Sequence, residues 1–244
     1  MPDPAIEVKG LNHVYDDKPV LDDLTFTVEH GEIFGFLGHN GAGKTTTVNI
    51  LTTLLRPTSG VARVCGHDAV TDRDEVTRRI GYLPSEVRMY GHLTAQENLE
   101  FFARLSGVPH PAQAAAETLA YLGAEHLAPL RVSTFSTGMR QRLGIAQAIV
   151  HRPAVLFLDE PTSGLDPQGV RQLRETIQRL NEDLGMTVFM NTHLLSEVAR
   201  LCTTIGVLSH GQLIYQDSMA ETTRRFPDER SLEDIYVRVE DATP

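Results

Sequence analysis

A short glycine-rich segment at residues 38–45 constrains the fold of this 244-residue chain more than any other feature. It follows the apolar run 33–37 and leads into a helical pattern, so strand, turn and helix are expected in that order. Glycines in such a turn let successive backbone N–H groups point into one concavity, and the helix N-terminus adds positive partial charge. In this setting Lys44 can reach the β- and γ-phosphates of a nucleotide, and Thr45 can offer its hydroxyl to Mg²⁺. The segment therefore predicts a phosphate-binding loop rather than an ordinary glycine-rich turn.

The overall charge argues against a broad nucleic-acid-binding surface. The chain has 22 basic and 32 acidic residues and a formal net charge of −10, whereas such surfaces are basic. A local group of donors around Lys44 can still bind a nucleotide, because it acts at short range. No nucleic acid partner is therefore expected.

Neither a membrane segment nor a disulfide framework is expected. No run approaches the ~18 consecutive apolar residues of a spanning helix, and residues 1–5 lack the basic and apolar regions of a secretory signal. Cys65 and Cys202 are the only cysteines, which favours a reducing compartment. Cys65 and His67 predict no metal site, since no second Cys/His pair nearby has ligand spacing. If the protein works at a membrane, another chain must supply the span.

The pattern of apolar residues predicts an α/β core with an antiparallel part and an inserted block of helices. Residues 6–9 and 24–28 alternate apolar and polar side chains, as half-buried antiparallel strands do. The apolar run 154–158 is typical of a parallel strand covered on both faces. Helices are expected at 46–55, 72–79, from 94 onward, at 111–122, 137–150, 168–183, 194–201 and 231–237, and further strands at 33–37, 61–65, 80–84, 186–190, 204–208 and 212–215.

A single domain is expected from this order. Its core would comprise residues 1–84 and 151–217, and a helical block with a capping box at Thr94 would occupy residues 85–150. Residues 218–244 would form a charged tail.

Two acidic residues at the end of an apolar run form the second chemical signal. Asp159 and Glu160 follow the run 154–158, and in isolation such a pair is usually a helix cap or a solvated turn. With a phosphate-binding loop upstream, Asp159 is placed to hold Mg²⁺. Glu160 is then placed to polarise a water molecule for attack on the γ-phosphate.

A third signal opens the helix that precedes these acids. Ser136 and Gly138 at a helix N-terminus offer a hydroxyl and free N–H groups to an anion such as phosphate. An ordinary N-cap at Ser136 is the alternative.

The order and spacing of these motifs resemble the nucleotide-binding subunit of an ATP-binding cassette (ABC) transporter, over about residues 6–215. The resemblance implies a P-loop NTPase fold with a RecA-like core, ATP and Mg²⁺ as cofactors, and ATP hydrolysis. It assigns Tyr15 to adenine stacking, Gly38, Asn40, Gly41, Ala42, Gly43, Lys44, Thr45 and Thr46 to Walker A, Asp159 and Glu160 to Walker B, Ser136 and Gly138 to the signature motif, Asp166 to the D-loop and His193 to the switch position.

The resemblance also implies an assembly. Two such subunits would pair head to tail, as identical chains or as paralogues, with each ATP between the Walker A loop of one and the signature motif of the other. His193 would bond to the γ-phosphate, Asp166 would link the two sites, and Lys44 and Glu160 would complete the catalytic set. A separate transmembrane permease would be the partner, with this chain peripheral at the cytoplasmic face and residues 85–104 as the contact, including Val87, Met89 and Tyr90.

Two departures from the family pattern are present. The family usually has a glutamine that reaches Mg²⁺ and water where this chain has Ser85, followed by Glu86. Serine is shorter, so either a water bridges the gap from Ser85 to the metal or Glu86 substitutes. The signature reads Phe-Ser-Thr-Gly-Met, which retains Ser136 and Gly138. These departures resemble the ABC-2 type exporters, including antibiotic and multidrug efflux ATPases.

Two other functions stay open. A soluble ABC ATPase acting on ribosomes or nucleic acid is one, although the acidic balance and the single cassette count against it. A nucleotide sensor without turnover is the other, which Ser85 allows and which Glu160 and His193 make less favourable.

Overall fold

The computed structural model describes residues 3–227 and 232–241. Strands and helices alternate along much of this chain. The strands are β1 (Ile6–Tyr15), β2 (Lys18–Val28), β3 (Ile33–Leu37), β4 (Ser59–Val64), β5 (His67–Asp68), β6 (Ile80–Leu83), β7 (Val155–Asp159), β8 (Thr187–Asn191), β9 (Thr204–Ser209) and β10 (Gln212–Ser218). The helices are α1 (Lys44–Leu51), α2 (Arg73–Arg79), α3 (Ala95–Leu105), α4 (Pro111–Tyr121), α5 (Thr137–Ile149), α6 (Pro167–Leu184), α7 (Leu195–Leu201), α8 (Met219–Arg225) and α9 (Leu232–Asp241). The predicted α/β class is confirmed, with the helices α3 to α5 between β6 and β7.

The larger sheet places the ends of three strands side by side. Its strand order is β10-β9-β3-β8-β7-β6, with β9, β3, β8, β7 and β6 parallel and β10 antiparallel at one edge. Every residue of β3, β7 and β8 is buried, as the continuous apolar runs predict. Because the carboxyl ends of parallel strands meet at one edge of a sheet, the segments after β3, β7 and β8 are brought together.

A second sheet, antiparallel with the order β2-β1-β4-β5, packs on this core. Phe26 on β2 lies 5.9 Å from Phe34 and 6.1 Å from Phe189 between ring centroids, so aromatic side chains join the two sheets. The antiparallel strands expected within residues 6–28 are confirmed, and β1 and β2 are longer than the two short stretches predicted.

The helical block, α3 to α5, packs against the larger sheet where α5 closely approaches β6. A Cβ atom at Gly144 would lie 2.6 Å from Leu83 Cδ1 and 3.0 Å from Val87 Cγ2, so any larger residue there would displace these side chains. The capping box at the start of α3 is confirmed, with Thr94 Oγ1 accepting from the Glu97 N–H and the Glu97 carboxylate accepting in return.

The predicted end of α1 is wrong. The helix was expected to continue to about residue 55, but it ends at Leu51. Thr53 adopts a left-handed backbone with φ of 65°, and the N–H groups of Leu54 and Leu55 both bond to the Asn49 carbonyl. These bonds satisfy the last turn without further helix.

The end of the chain contains more structure than predicted. Helix α8 was not expected, and α9 extends to Asp241, although the expected helix began at Ser231, which lies outside the described residues. Leu232, Ile235 and Val239 of α9 are buried in the main core. No helix within residues 3–227 and 232–241 has the length and apolar character needed to cross a membrane.

Candidate active site

The loop after β3 presents backbone N–H groups to one side. Helix α1 starts at Lys44 with Gly43 as its N-cap, and no side chain caps it. Gly43 has φ of 110°, and a Cβ there would lie 2.6 Å from Leu21 Cδ2 and 2.9 Å from the Val20 carbonyl oxygen, so only glycine fits. The first N–H groups of a helix lack partners within the helix, which leaves those of Lys44, Thr45 and Thr46 for an anion.

The Lys44 side chain lies across this loop. Its Nζ donates to the carbonyl oxygens of Gly38, at 2.6 Å, and His39, at 3.1 Å, and the residue is only 7% exposed. Burial lowers the pKa of Lys44, while the negative charges of Glu160 and Asp159 raise it. The ammonium group therefore stands between the loop and the two acids.

Asp159 ends β7 as a buried carboxylate. It is 5% exposed, and its Oδ1 accepts a hydrogen bond of 2.5 Å from Asn191 Nδ2. Burial raises the pKa of Asp159, and so does the charge of Glu160, whereas the bond from Asn191 and the charge of Lys44 lower it. A nearby cation stabilises a buried carboxylate of this kind, because it compensates the negative charge.

Glu160 and His193 meet although 33 positions separate them. His193 Nδ1 lies 2.8 Å from Glu160 Oε2, and Thr192 Oγ1 donates to the same oxygen at 3.4 Å. Glu160 has a left-handed backbone with φ of 47°, and its N–H donates to the Asn191 carbonyl at 2.9 Å. A backbone strained in this way is held only by its surroundings, and here it aims the carboxylate out of the sheet edge.

The start of α5 is more exposed than the groups at the sheet edge. Ser136 caps the helix, with its Oγ accepting from the Met139 N–H at 3.3 Å, and both Ser136 and Thr137 are exposed. A Cβ at Gly138 would have no neighbour within 4 Å, so the space beside it is open. Among the described residues, no hydrogen bond joins Ser136 to the acids or to the loop after β3.

Comparison with known proteins identifies the family of this chain. The family model described as ABC transporter matches residues 21–163, which is more than half of the chain. This chain belongs to the ABC transporter family. It is an ATP-binding subunit of that family and an ATPase.

Named relatives and solved structures agree with this assignment. The bacitracin transport ATP-binding protein BcrA of Bacillus licheniformis is 39% identical over 91% of this chain and 73% of its own length. The daunorubicin/doxorubicin resistance ATP-binding protein DrrA of Streptomyces peucetius is 41% identical over 90% of this chain and 67% of its own length. A solved ATP-binding subunit of an ABC transporter has a TM-score of 0.86 and 29% identity, covering 97% of this chain and 99% of that one. The ATP-binding cassette MJ0796, solved as a dimer in a post-hydrolysis state with ADP and Pi, has a TM-score of 0.78 and 25% identity, covering 88% of this chain and 98% of that one.

The predicted site residues of this ABC subunit fall into two groups. The Walker A loop, Asp159, Glu160 and His193 gather at the sheet edge. Asp166 and Tyr15 lie outside that group: Asp166 caps α6 by accepting from the Gly169 N–H at 2.7 Å, and Tyr15 ends β1. Tyr15 is 44% exposed and packs edge to face on His13, 4.5 Å between centroids, which leaves part of its ring open for stacking.

The residues near the end of β6 give no direct replacement for the family glutamine. Ser85 is exposed two residues after β6. Glu86 is exposed as well, and its carboxylate accepts from Arg88 at 2.9 Å. The assignment of Ser85 to the metal stays a prediction.

The oxygen donors at the sheet edge fit Mg²⁺. Thr45 is exposed at the start of α1, and the buried Asp159 carboxylate accepts a hydrogen bond from the Asn191 amide. Hydroxyl and carboxylate oxygens are the ligands that this hard cation takes, together with waters and phosphate.

Two contacts at the site were missed by sequence reasoning. Gln141 of α5 is buried and donates to the Pro161 carbonyl at 2.7 Å, which ties the signature helix to the segment after Glu160. Asn191 donates a hydrogen bond to Asp159. Only Asn191 had a signal in the sequence, a polar residue ending an apolar run.

Proposed function

We propose that this ABC ATPase energises export by a separate transmembrane permease, through ATP-driven pairing of two nucleotide-binding subunits. The observation that carries the proposal is the meeting of Glu160 and His193, 2.8 Å apart, beside Lys44 and Asp159. This arrangement places a candidate base next to a cation and a metal-binding carboxylate, which is what hydrolysis of a phosphoanhydride requires.

In the proposed reaction Glu160 accepts a proton from the attacking water. The bond from water oxygen to the γ-phosphorus forms as the bond from that phosphorus to the bridging oxygen breaks, releasing ADP and phosphate. His193 fixes the Glu160 carboxylate through Nδ1 and directs its other nitrogen outward, since its side chain is 62% exposed. Lys44 and the free N–H groups of α1 hold the phosphates. Mg²⁺ held by Thr45 and Asp159 would neutralise charge on the β- and γ-phosphates.

The second half of each site comes from another subunit in this proposal. Ser136 is exposed, Gly138 is half-buried with open space beside it, and both lie outside the Walker cluster, so they are free to face the nucleotide of a neighbouring copy or paralogue. The dimeric post-hydrolysis structure of MJ0796 supports this reading. Within each subunit we propose one nucleotide-binding domain, with a core of residues 1–84 and 151–217, a helical block at 85–150 and a tail from 218.

An exposed aromatic patch on the helical block suits a membrane partner. Tyr90 and Phe101 are 44% and 37% exposed and pack edge to face at 5.1 Å, and Leu105 nearby in α3 is 68% exposed. Val87 and Met89, also expected at this contact, are half-buried against the core, so Tyr90 offers more surface than either. The names of BcrA and DrrA, a transport protein and a resistance protein, support an exporter at the cytoplasmic face.

Co-purification from detergent extract tests the partner. The chain is co-expressed with the multi-span membrane protein encoded beside it, and we expect the two to elute together with ATPase activity. The control carries Tyr90→Ser and Phe101→Ser, which should release the partner and leave the ATP affinity of the free chain unchanged. Recovery of ribosomes or DNA without a membrane protein would favour the soluble alternative.

A further inference from the structure

Asn191 occupies a central position beneath the phosphate-binding loop. It ends β8, which lies between β7 and β3, and it is paired in register with Asp159 on one side and Phe36 on the other. The residue is 1% exposed, and its Nδ2 donates to Asp159 Oδ1 at 2.5 Å. An amide in this place touches the carboxylate that the proposed function assigns to the metal.

The carboxylate fixes the orientation of the amide. An ionised carboxylate only accepts hydrogen bonds, so the NH₂ group of Asn191 must face Asp159 and the amide oxygen must face away. That oxygen, Oδ1, is buried and has no hydrogen-bond partner among the described residues. Buried polar oxygens nearly always have a donor, and an orphaned one points to a group that arrives with the ligand.

Water bound to Mg²⁺ is the donor that suits this oxygen. Mg²⁺ keeps several of its waters when proteins bind it, and such waters donate strongly because the cation polarises them. We propose that Asn191 is a positioning residue of the Mg²⁺ site: Nδ2 orients the Asp159 carboxylate, and Oδ1 accepts a hydrogen bond from a water on the metal. This rests on the proposed function, which places Mg²⁺ between Thr45 and Asp159.

The position also bears on the missing glutamine. Ser85 is too short to carry a side-chain amide to the metal, and Glu86 is engaged with Arg88. Asn191 supplies a side-chain amide from β8 instead, on the buried side of Asp159 rather than the exposed side. The metal therefore gains an outer hydrogen-bond partner that does not depend on the loop after β6.

A purely structural role makes a different prediction. If Asn191 only joined β7 to β8, its removal would lower stability and leave metal affinity unchanged. The matched control is Thr187→Val on the same strand, because Thr187 is also fully buried and its hydroxyl accepts from the Gly31 N–H at 3.0 Å. This change removes a buried hydrogen bond at the opposite end of β8.

The experiment measures Mn²⁺ affinity by electron paramagnetic resonance, with a non-hydrolysable ATP analogue bound. We expect Asn191→Leu to weaken Mn²⁺ binding by about 10–100-fold, the usual effect of removing an outer partner of a metal ligand. Thr187→Val should stay within about two-fold of the unchanged chain, and analogue binding in EDTA should be the same for all three proteins. Folded Asn191→Leu with unaltered Mn²⁺ affinity would overturn the proposal.

Two further measurements cover other outcomes. Asn191→Ser, which is smaller and polar, is measured alongside in case the leucine variant does not fold. In the unchanged chain, the NMR signals of the Asn191 side-chain NH₂ should shift when Mg²⁺ is added to the protein with bound analogue, and signals that stay in place would contradict the assignment. If the unchanged chain binds no Mn²⁺ with the analogue, the proposed metal site fails, and that result is distinct from failure of the Asn191 role.

Discussion

The Walker cluster at the sheet edge and the signature end of α5 both serve phosphate chemistry in this family, but they are built in opposite ways. Lys44 and Asp159 are 7% and 5% exposed, and each is held by groups of its own chain. Ser136 is exposed and bonds only within its own helix turn. The first region is organised by contacts within the chain, whereas the second leaves its polar groups open to solvent, as the proposed pairing of two subunits requires.

Electrostatics sharpen this difference. Burial lowers the pKa of Lys44 and raises that of Asp159, and it also raises the pKa of nearby Tyr82 to about 12, with the Asp159 charge adding to the effect. Charges in such a place interact more strongly than in water, because solvent screening is reduced. The signature end has only a helix N-terminus and a hydroxyl, which act on phosphate at short range.

The largest effect is expected from Glu160→Gln, which removes the candidate base from the Walker cluster. Glutamine keeps the shape and can still bond to His193, but it cannot take the proton, so ATP hydrolysis should fall by about 10²–10⁴-fold while ATP binding persists. Steady-state phosphate release measures the rate, and the exposed Glu182→Gln on α6 serves as control. A rate near that of the unchanged chain would contradict the catalytic role.

The next largest effect is expected from Lys44→Ala, which removes the cation that spans the loop. Hydrogen bonds to charged groups contribute about 1.5–3 kcal/mol, so ATP affinity should fall roughly 10–100-fold by calorimetry. Lys9→Ala is the control, since Lys9 is an exposed lysine paired with Glu7 in the antiparallel sheet. Equal affinities in the two variants would remove Lys44 from the phosphate site.

The signature end is tested by comparing two serine caps. Ser136 caps α5 and Ser218 caps α8, where its Oγ accepts from the Glu221 N–H at 3.1 Å, so alanine should cost each helix about 0.5–2 kcal/mol. Only Ser136→Ala should also lower ATP hydrolysis, by roughly 10-fold, because it removes a bond to phosphate in the paired state. Similar rates in both variants would make Ser136 an ordinary cap.

The sequence motifs predicted the residues of the site itself, but not the residues that hold them in place. Lys44, Asp159, Glu160 and His193 were all predicted from residue type and order, and the structure brings them to one edge of the sheet. Asn191 could not be assigned to Asp159, because that pairing depends on the strand order β3-β8-β7, which apolar runs do not encode.

The sequence likewise predicted which helices and strands exist better than it predicted where they end and which of them are in contact. The extra length assigned to α1 came from taking residues 56–60, with their proline and glycine, as the stop, whereas the left-handed turn at Thr53 decides where the helix ends. The bond from Gln141 to the Pro161 carbonyl joins α5 to the segment after β7, and only tertiary packing produces it. The local pattern of apolar residues determines which segments form helices or strands, whereas packing of the buried side chains determines which of these elements are in contact.

The smallest effect is expected away from both regions, where His151 follows the C-terminal end of α5 and bonds to the first residue of β6. Its Nε2 lies 2.8 Å from the Ile80 carbonyl oxygen, so it must carry a proton and donate. Burial lowers the pKa of His151, while the bond to Ile80 raises it by less. The unfolded chain therefore binds a proton first as the pH falls, and stability is lost from about pH 7 down through the lowered pKa.

Replacing His151 by glutamine keeps a donor for Ile80 and removes this titration. Urea unfolding at about pH 8 and about pH 5.5 should show a larger loss of stability for the unchanged chain than for His151→Gln, with midpoints differing by roughly 0.1–0.5 M. The two proteins differ only at residue 151, so the comparison isolates the contact between His151 and Ile80. An equal loss in the two proteins would mean that His151 is protonated in the fold at no cost, and α5 would then be joined to β6 without a pH-dependent contact.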